Sequence, residues 1–366
     1  MSLERLRAVL ADAGIEQAVL SHPETVAHVT GFSLPVEDWP VANPFVADPP
    51  LLVLGPRGDR LVIADFYAAH AGDAGVAVAT YRSYDYKQAP DPQAELRSAV
   101  NGLDLAGGRL GIEAAWLPTT VADVLRARGC ELVDIADAVV DARRIKSESE
   151  IEAIRRASRL SDVVQRAIKD HARAGLSEAE LAGLAQAEMY RAAGRRVPAI
   201  LTVTTGAATA TGGAEPTARR VETGDLVLTD TSPWWEGAWS DTANAVVAGT
   251  PSTEQRRVFD AVRRALDLAI EACAPGAQAS AVDRRVRASL EEWGPTYGHH
   301  TGHGIGAAWS EEPRITPYND MPIEEGMVLA VEPAIYREGW GGIRLEHVFV
   351  VRASGNEILT EFEHTL

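Results

Sequence analysis

Five residues of metal-ligand type stand in the second half of the 366-residue chain: Asp230, Asp241, His303, Glu332 and Glu346. Each lies at or near the end of a strand-like run. Asp230 closes Leu226-Val227-Leu228-Thr229, and Asp241 follows eleven residues later, after Ala238-Trp239-Ser240. His303 sits among glycines in Gly302-His303-Gly304-Ile305-Gly306, where the missing side chains allow close backbone approach. Glu332 ends Met327-Val328-Leu329-Ala330-Val331, and Glu346 ends Gly342-Ile343-Arg344-Leu345. Any one such acid is ordinarily just solvated. Four carboxylates and an imidazole in one site are too much negative charge to bury unpaired. Divalent cations would neutralise them, and an oxygen-rich set with one imidazole suits manganese, cobalt or zinc. Because carboxylates bridge, five side chains can hold two ions about 3.5–4 Å apart, which is a hydrolytic arrangement.

The order Asp-x10-Asp, then Gly302-His303-Gly304-Ile305-Gly306, then Gly326-Met327 through Glu332-Pro333, then Gly342 through Glu346, resembles the pita-bread metallopeptidase family. That family includes methionine aminopeptidase, Xaa-Pro aminopeptidase and prolidase, with creatinase as a metal-free cousin. Two features favour the Xaa-Pro branch: a separate N-terminal domain, and the join Arg144-Ile145-Lys146-Ser147 leading to Glu150-Ile151-Glu152. The resemblance implies that Asp230 chelates one ion, His303 and Glu332 hold the other, and Asp241 and Glu346 bridge. It implies Glu332 as proton shuttle, His299 in catalysis and substrate binding, and a homodimer with two manganese ions, cobalt or zinc being alternatives. The implied reaction is hydrolysis of Xaa-Pro bonds in dipeptides or short peptides by a hydroxide bridging the ions. Tyr336 and Arg344 are expected at the substrate, and strand alternation also lets Arg344 orient a bridging carboxylate.

The chain departs from the family pattern in specific places. His299 stands four residues before His303, as the pattern requires. Ser310 occupies the position of the histidine seven residues after His303, and Gly213 the position of a third. Asp241-Thr242-Ala243-Asn244-Ala245 replaces the family's Asp-x-Thr-Arg-Thr. A positioned acid or base is worth about 10²–10⁴-fold in rate, so compensation is expected from His300, Tyr297, Tyr336 or Arg344. Trp234, Trp235, Trp239 and Trp309 are expected to fill vacated space and line an apolar pocket. Three other readings stay open: an Xaa-Pro aminopeptidase on longer peptides, a metal-dependent amidohydrolase on a non-peptide C–N bond, and a non-catalytic binding module.

The positioning elements follow from periodicity and caps. Ser147/Glu150, Ser177/Glu180 and Ser252/Gln255 are capping boxes that open helices. Helices are expected at 147–173, from 177, at 252–274 and at 280–293, with strands at 199–204, 225–231, 238–248, 327–336 and 343–352. Two helices followed by strands, occurring twice, predict two half-domains facing each other across a cleft. The first half would give two ligands and the second three. Residues 1–141 alternate strands and helices, an α/β layer, with a helix at Leu3–Ala13, a strand at Gln17–Ser21, a turn at His22-Pro23 and a hairpin around Gly55-Pro56-Arg57-Gly58-Asp59. The expected fold is thus α/β (α+β): a creatinase/prolidase-type domain over 1–141 and a pita-bread domain over 142–366 around an antiparallel sheet. The proline-rich stretch Ser33–Pro50, with Trp39 and Phe45, is expected to help wall the site.

A net charge of −17 argues against nucleic acid as partner, since phosphate binding needs a basic surface. No stretch approaches the ~20 apolar residues of a membrane span. The opening Met1-Ser2-Leu3-Glu4-Arg5-Leu6-Arg7 reads as an amphipathic helix rather than a secretory signal. Cys130 and Cys273 fall in different expected domains, which argues against a disulfide framework and fits a reducing cytoplasm.

Overall fold

The computed structural model describes residues 3–33, 49–72, 74–294 and 297–366. Positions 34–48, with Trp39 and Phe45, lie outside the described residues, and so does the expectation that they wall the site. The chain divides into two compact units, Met1–Arg143 and Arg144–Leu366.

The first unit is an α/β layer. Its elements are α1 (Leu3–Asp12), β1 (Ala18–Leu20), α2 (Pro23–Thr30), β2 (Leu51–Gly55), β3 (Gly58–Ala64), β4 (Ala77–Tyr81), α3 (Pro92–Asn101), β5 (Gly108–Ile112), α4 (Thr119–Ala127), β6 (Cys130–Asp134) and α5 (Ala136–Arg144). The six strands form one mixed sheet in the order β4-β3-β2-β1-β5-β6. The hairpin partners β2 and β3 are antiparallel, whereas β1, β5 and β6 run parallel and need the helical crossovers between them. In α1, Leu6 and Leu10 are four apart and bury against the sheet with Leu20, Leu52, Leu61 and Leu110. Where the sequence suggests a turn at His22-Pro23, the chain starts α2. His22 Nδ1 accepts the Glu24 N–H, Pro23 takes the first turn, and Gly31 closes the helix at φ 73°. A proline at that position is compatible with a helix start, because its missing N–H is never used there.

The second unit repeats one pattern twice. α6 (Glu148–His171) and α7 (Glu178–Ala193) precede β7 (Ala199–Thr205), β8 (Leu226–Trp235), β9 (Ala238–Trp239) and β10 (Thr242–Val247). Then α8 (Thr253–Ala272) and α9 (Ala279–Leu290) precede β11 (Gly302–Gly304), β12 (Glu311–Ile315), β13 (Val328–Val331), β14 (Ala334–Arg337), β15 (Gly341–Arg344), β16 (His347–Val350) and β17 (Glu357–Ile358). All three expected capping boxes form, with serine and glutamate or glutamine each satisfying the other's backbone. The first half has an antiparallel sheet β10-β8-β7, the second the sheet β12-β11-β13-β16-β17, and β14 and β15 pair separately. α8 and α9 pack Val258, Val262, Leu266 and Val286 onto Leu329, Ile343 and Phe349. Cys130 and Cys273 are both free and buried. Among the described residues no helix is long and apolar enough to cross a membrane.

Candidate metal centre

Three of the four acids occupy interruptions in strands. The runs 238–248, 327–336 and 343–352 read as continuous, but Asp241 falls between β9 and β10, Glu332 between β13 and β14, and Glu346 between β15 and β16. Leaving the ladder frees each carboxylate from the strict face alternation of a pleat. Pro333, which has no N–H to pair, follows Glu332 and helps break that run. Asp230 differs: it lies mid-strand in β8, which continues to Trp235, with Thr202 and Ala243 as register partners.

Glu346 stitches the halves together. Its N–H donates to Ala243 O of β10 at 3.0 Å, and Ala243 is itself opposite Asp230. The residue is 1% exposed, and neither carboxylate oxygen has a hydrogen-bond partner among the described residues. Burial pushes this carboxyl well above the usual range, and Asp241, Glu332 and Asp230 add to the effect against the opposing pull of Arg344. An orphaned, buried carboxylate among three other acids fits a bound cation. Asp241, His303 and Glu346 each present a ligand atom within 4.8 Å of the others, and so do His300, His303 and Glu332.

His303 is oriented as a candidate ligand by its backbone. Nδ1 lies 2.8 Å from Gly304 O, and a carbonyl only accepts, so Nδ1 carries the proton. Nε2 then faces Asp241 Oδ2 at 3.6 Å; burial lowers the ring's pKa, but Asp241 and Glu332 outweigh burial and raise it. β11 is squeezed between β12 and β13: a Cβ on Gly302 would lie 2.2 Å from Ala330 O, and one on Gly304 2.6 Å from Glu312 O. These glycines bring His303 beside Glu332, whose N–H donates to Thr301 O at 2.9 Å.

Glu332 meets His300 Nε2 at 2.8 Å, and Arg344 Nε lies 3.7 Å from its other oxygen. Burial would raise its carboxyl, but the His300 hydrogen bond and the Arg344 charge outweigh burial and hold it below the ordinary carboxylate range. Arg344 also pairs with Asp230 and donates from Nη1 to Tyr336 Oη at 3.2 Å. Tyr336 Oη lies 3.2 Å from His299 Nε2, while His299 Nδ1 is 2.7 Å from the His300 carbonyl and must donate to it. The Tyr336 hydroxyl therefore donates to His299 Nε2. Burial pushes Tyr336 up to about 12, which keeps that proton in place at neutral pH. Burial, with Arg344 and His300, lowers His299 against Glu332 and keeps the ring neutral.

The structure brings all eight expected residues to one place. Arg344 pairs with Asp230 and lies 3.7 Å from Glu332, and its charge also acts on Glu346, one of the acids expected to bridge. The chain passes from the β14-β15 pair into the larger sheet between Arg344 and His347, so alternation along a single strand does not apply.

Besides His300, Ser232 and Trp309 reach the centre. Ser232 Oγ donates to Asp241 Oδ1 at 2.8 Å, and Trp309 Nε1 donates to Asp241 Oδ2 at 2.7 Å and to Ser232 Oγ at 3.0 Å. Trp309 thus acts as a polar donor rather than an apolar filler. Trp239 packs in the apolar cluster of Ile151, Ile305 and Val328, and Trp235 lies under the Arg195 guanidinium at 4.1 Å. The signal for Ser232 was available: it follows Asp230 by two in a strand. Tyr297 stacks on His299 at 4.8 Å and pairs with Thr301, so it supports the loop. The two non-histidine positions have local explanations. At Gly213, φ is 137° and a Cβ would lie 3.1 Å from Thr202 Oγ1; Ser310 is exposed. A cleft of about 420 Å³ opens beside His299 and His300, lined also by Arg287, Tyr297, Thr316 and Tyr318.

Residues 152–353 match the model of metallopeptidase family M24, and residues 3–145 that of the creatinase/prolidase N-terminal domain. The chain belongs to metallopeptidase family M24. Membership implies divalent metal ions, in keeping with the orphaned Glu346 oxygens. The chain is 31% identical to a Xaa-Pro dipeptidase of Pyrococcus horikoshii over 70% of its own length and 74% of that protein. It is 27% identical to a Xaa-Pro dipeptidase of Lactobacillus helveticus over 100% of this chain and 98% of that one. Among solved structures, the X-Pro aminopeptidase from Thermotoga maritima matches with a TM-score of 0.83 at 26% identity, covering 100% of this chain and 99% of that chain. The M24 assignment agrees with the expected α/β fold with a pita-bread second domain.

Proposed function

We propose that the chain is a dinuclear metallopeptidase that hydrolyses Xaa-Pro bonds in dipeptides or short peptides. The observation that carries this reading is Glu346, buried with both oxygens unpaired among Asp230, Asp241 and Glu332. Asp230, Asp241, His303, Glu332 and Glu346 would hold two divalent ions, manganese foremost, with cobalt or zinc as alternatives. Such ions supply a water acidified toward neutral pH and polarise the scissile carbonyl.

The chain's own residues do the rest. Glu332, kept ionised, accepts a proton at a carboxylate oxygen and returns it to the leaving proline nitrogen. His299, Tyr336 and Arg344 form a line of polar groups from Asp230 toward the cleft, and we assign them to the substrate. Arg344 holds Asp230 in place while Tyr336 keeps His299 neutral and oriented. By resemblance the chain works as a homodimer in the cytoplasm; light scattering after size exclusion tests the dimer.

The test of function is an assay of chelator-stripped protein reloaded with manganese, cobalt or zinc. Xaa-Pro dipeptides are compared with matching Xaa-Pro-Xaa tripeptides, with Asp241→Asn as the blank. Metal-dependent cleavage of dipeptides, lost in the variant, is expected. Preference for the tripeptides would make it an aminopeptidase instead. A second reading, an amidohydrolase on a non-peptide C–N bond, is favoured by the Gly213 and Ser310 positions and by Trp309 at Asp241. Silence across the peptide panel with two ions bound would select it.

A further inference from the structure

We propose that His300 is a sixth protein ligand of the centre, so that one of its two subsites holds an ion between two imidazoles and the Glu332 carboxylate. The proposal rests on the dinuclear reading above and assigns a residue outside the expected five. His300 Nε2 lies 2.8 Å from Glu332 Oε1. His303 commits Nδ1–H to Gly304 O at 2.8 Å, which leaves Nε2 as the nitrogen that faces the centre. The two rings sit 5.1 Å apart between centroids at 77°, and one ligand atom from each of His300, His303 and Glu332 falls within 4.8 Å of the others. Three donors converging from two backbone segments describe one face of a tetrahedral or octahedral site.

The loop that presents His300 is held from behind. Arg287 donates to Tyr297 O at 2.7 Å and to His299 O at 2.6 Å, and Asp283 grips the Arg287 Nε at 2.9 and 3.0 Å. Thr301 Oγ1 donates to the same aspartate at 2.6 Å, while its carbonyl accepts the Glu332 N–H. His300 and Glu332 are therefore positioned by one network, as a preorganised ligand pair requires. Without an ion, the His300 N–H donates to Glu332; an ion takes the place of that proton.

The consequence is asymmetry. With His300 the second subsite has two nitrogens, which favours cobalt or zinc. Asp230, Asp241 and Glu346 offer only oxygen, which suits manganese.

Cobalt titration of the chelator-stripped full chain tests the proposal, read by visible absorption and equilibrium dialysis rather than turnover. His300→Gln and His300→Gly are compared with the wild type; the side chain is partly exposed, so neither empties a core position. The expected result is that the first cobalt equivalent binds at least about 10-fold more weakly in both variants and that the visible band changes as a nitrogen ligand is lost; weaker binding with an unchanged band would make His300 an outer partner of Glu332. Manganese affinity should change much less. Identical affinities and bands in all three proteins, with two cobalt ions bound, would overturn the ligand role and leave His300 a hydrogen-bond partner of Glu332. Wild-type protein that takes up fewer than two ions would instead sink the dinuclear reading and this proposal with it.

Discussion

The indole N–H of Trp309 points at Asp241 Oδ2 from 2.7 Å, while Ser232 donates to Oδ1 at 2.8 Å. Both oxygens of that acid are thus oriented by protein donors, one of them an aromatic ring that is 41% exposed. Trp309→Phe keeps the ring and deletes the donor. Removing such an outer partner costs about 10–100-fold in metal affinity or activity. We expect a loss of that size in manganese affinity by equilibrium dialysis, with kcat/KM falling in parallel at subsaturating metal. Unchanged affinity would mean that the indole is only packing.

Glu346→Gln should have opposite effects with and without ions. The wild-type carboxylate is buried beside three other acids with no hydrogen-bond partner among the described residues, so in chelator at neutral pH it destabilises the fold. The neutral amide removes that repulsion. Melting in chelator should therefore occur at higher temperature for the variant than for the wild type. With saturating manganese the order should reverse, since the variant loses a ligand and the stabilisation that binding confers.

Gly302 is fixed by backbone proximity. Its missing Cβ would fall 2.2 Å from Ala330 O, a carbonyl that cannot swing aside as a side chain would. Gly302→Ala must push β11 off β13 and move His303 with it. Overpacking of this kind costs roughly 1–3 kcal/mol. Urea unfolding should show a lower midpoint, and activity should fall at metal concentrations that saturate the wild type.

In the first unit, His22 predicts a pH response. Burial, then the charge of Arg143, lowers its pKa from 6.5 to about 4. The folded state thus prefers the neutral ring, whose Nδ1 caps α2. The sign follows: this contribution is complete above pH ~6.5 and is lost as pH falls through about 4. His22→Asn retains a capping oxygen and does not titrate. Hydrogen exchange in residues 23–30 should accelerate on going from pH 7 to pH 4.5 in the wild type, after correction for intrinsic rates, and clearly less in the variant.

Residue type singled out the five candidate ligands before any geometry. Capping boxes at Ser147, Ser177 and Ser252 placed the helices within a residue or two, because a reciprocal side-chain cap is a local device that tertiary packing seldom overrides. The strand interruptions at Asp241, Glu332 and Glu346 were not readable. Apolar alternation runs straight through them, and the departure depends on partners such as Ala243 and Thr301 that are distant in sequence. α2 was missed because His22-Pro23 is as good a turn signal as a helix start. Trp309 was read by its hydrophobic ring, whereas its one polar atom does the work at Asp241. The Arg344–Asp230 pair joins residues 114 apart and needs the fold to be seen.

The Glu346–Ala243 hydrogen bond has a bearing on the protein's life before its first turnover. The seam between the two half-domains carries that bond and a second from Trp239 N–H to Gly306 O at 2.8 Å, beside a cluster of acids that repel one another. A newly made chain that has not yet met its ions carries that repulsion uncompensated along the seam. Partial opening there would expose buried backbone to proteases. Metal supply then governs how many molecules survive as well as how fast each one works.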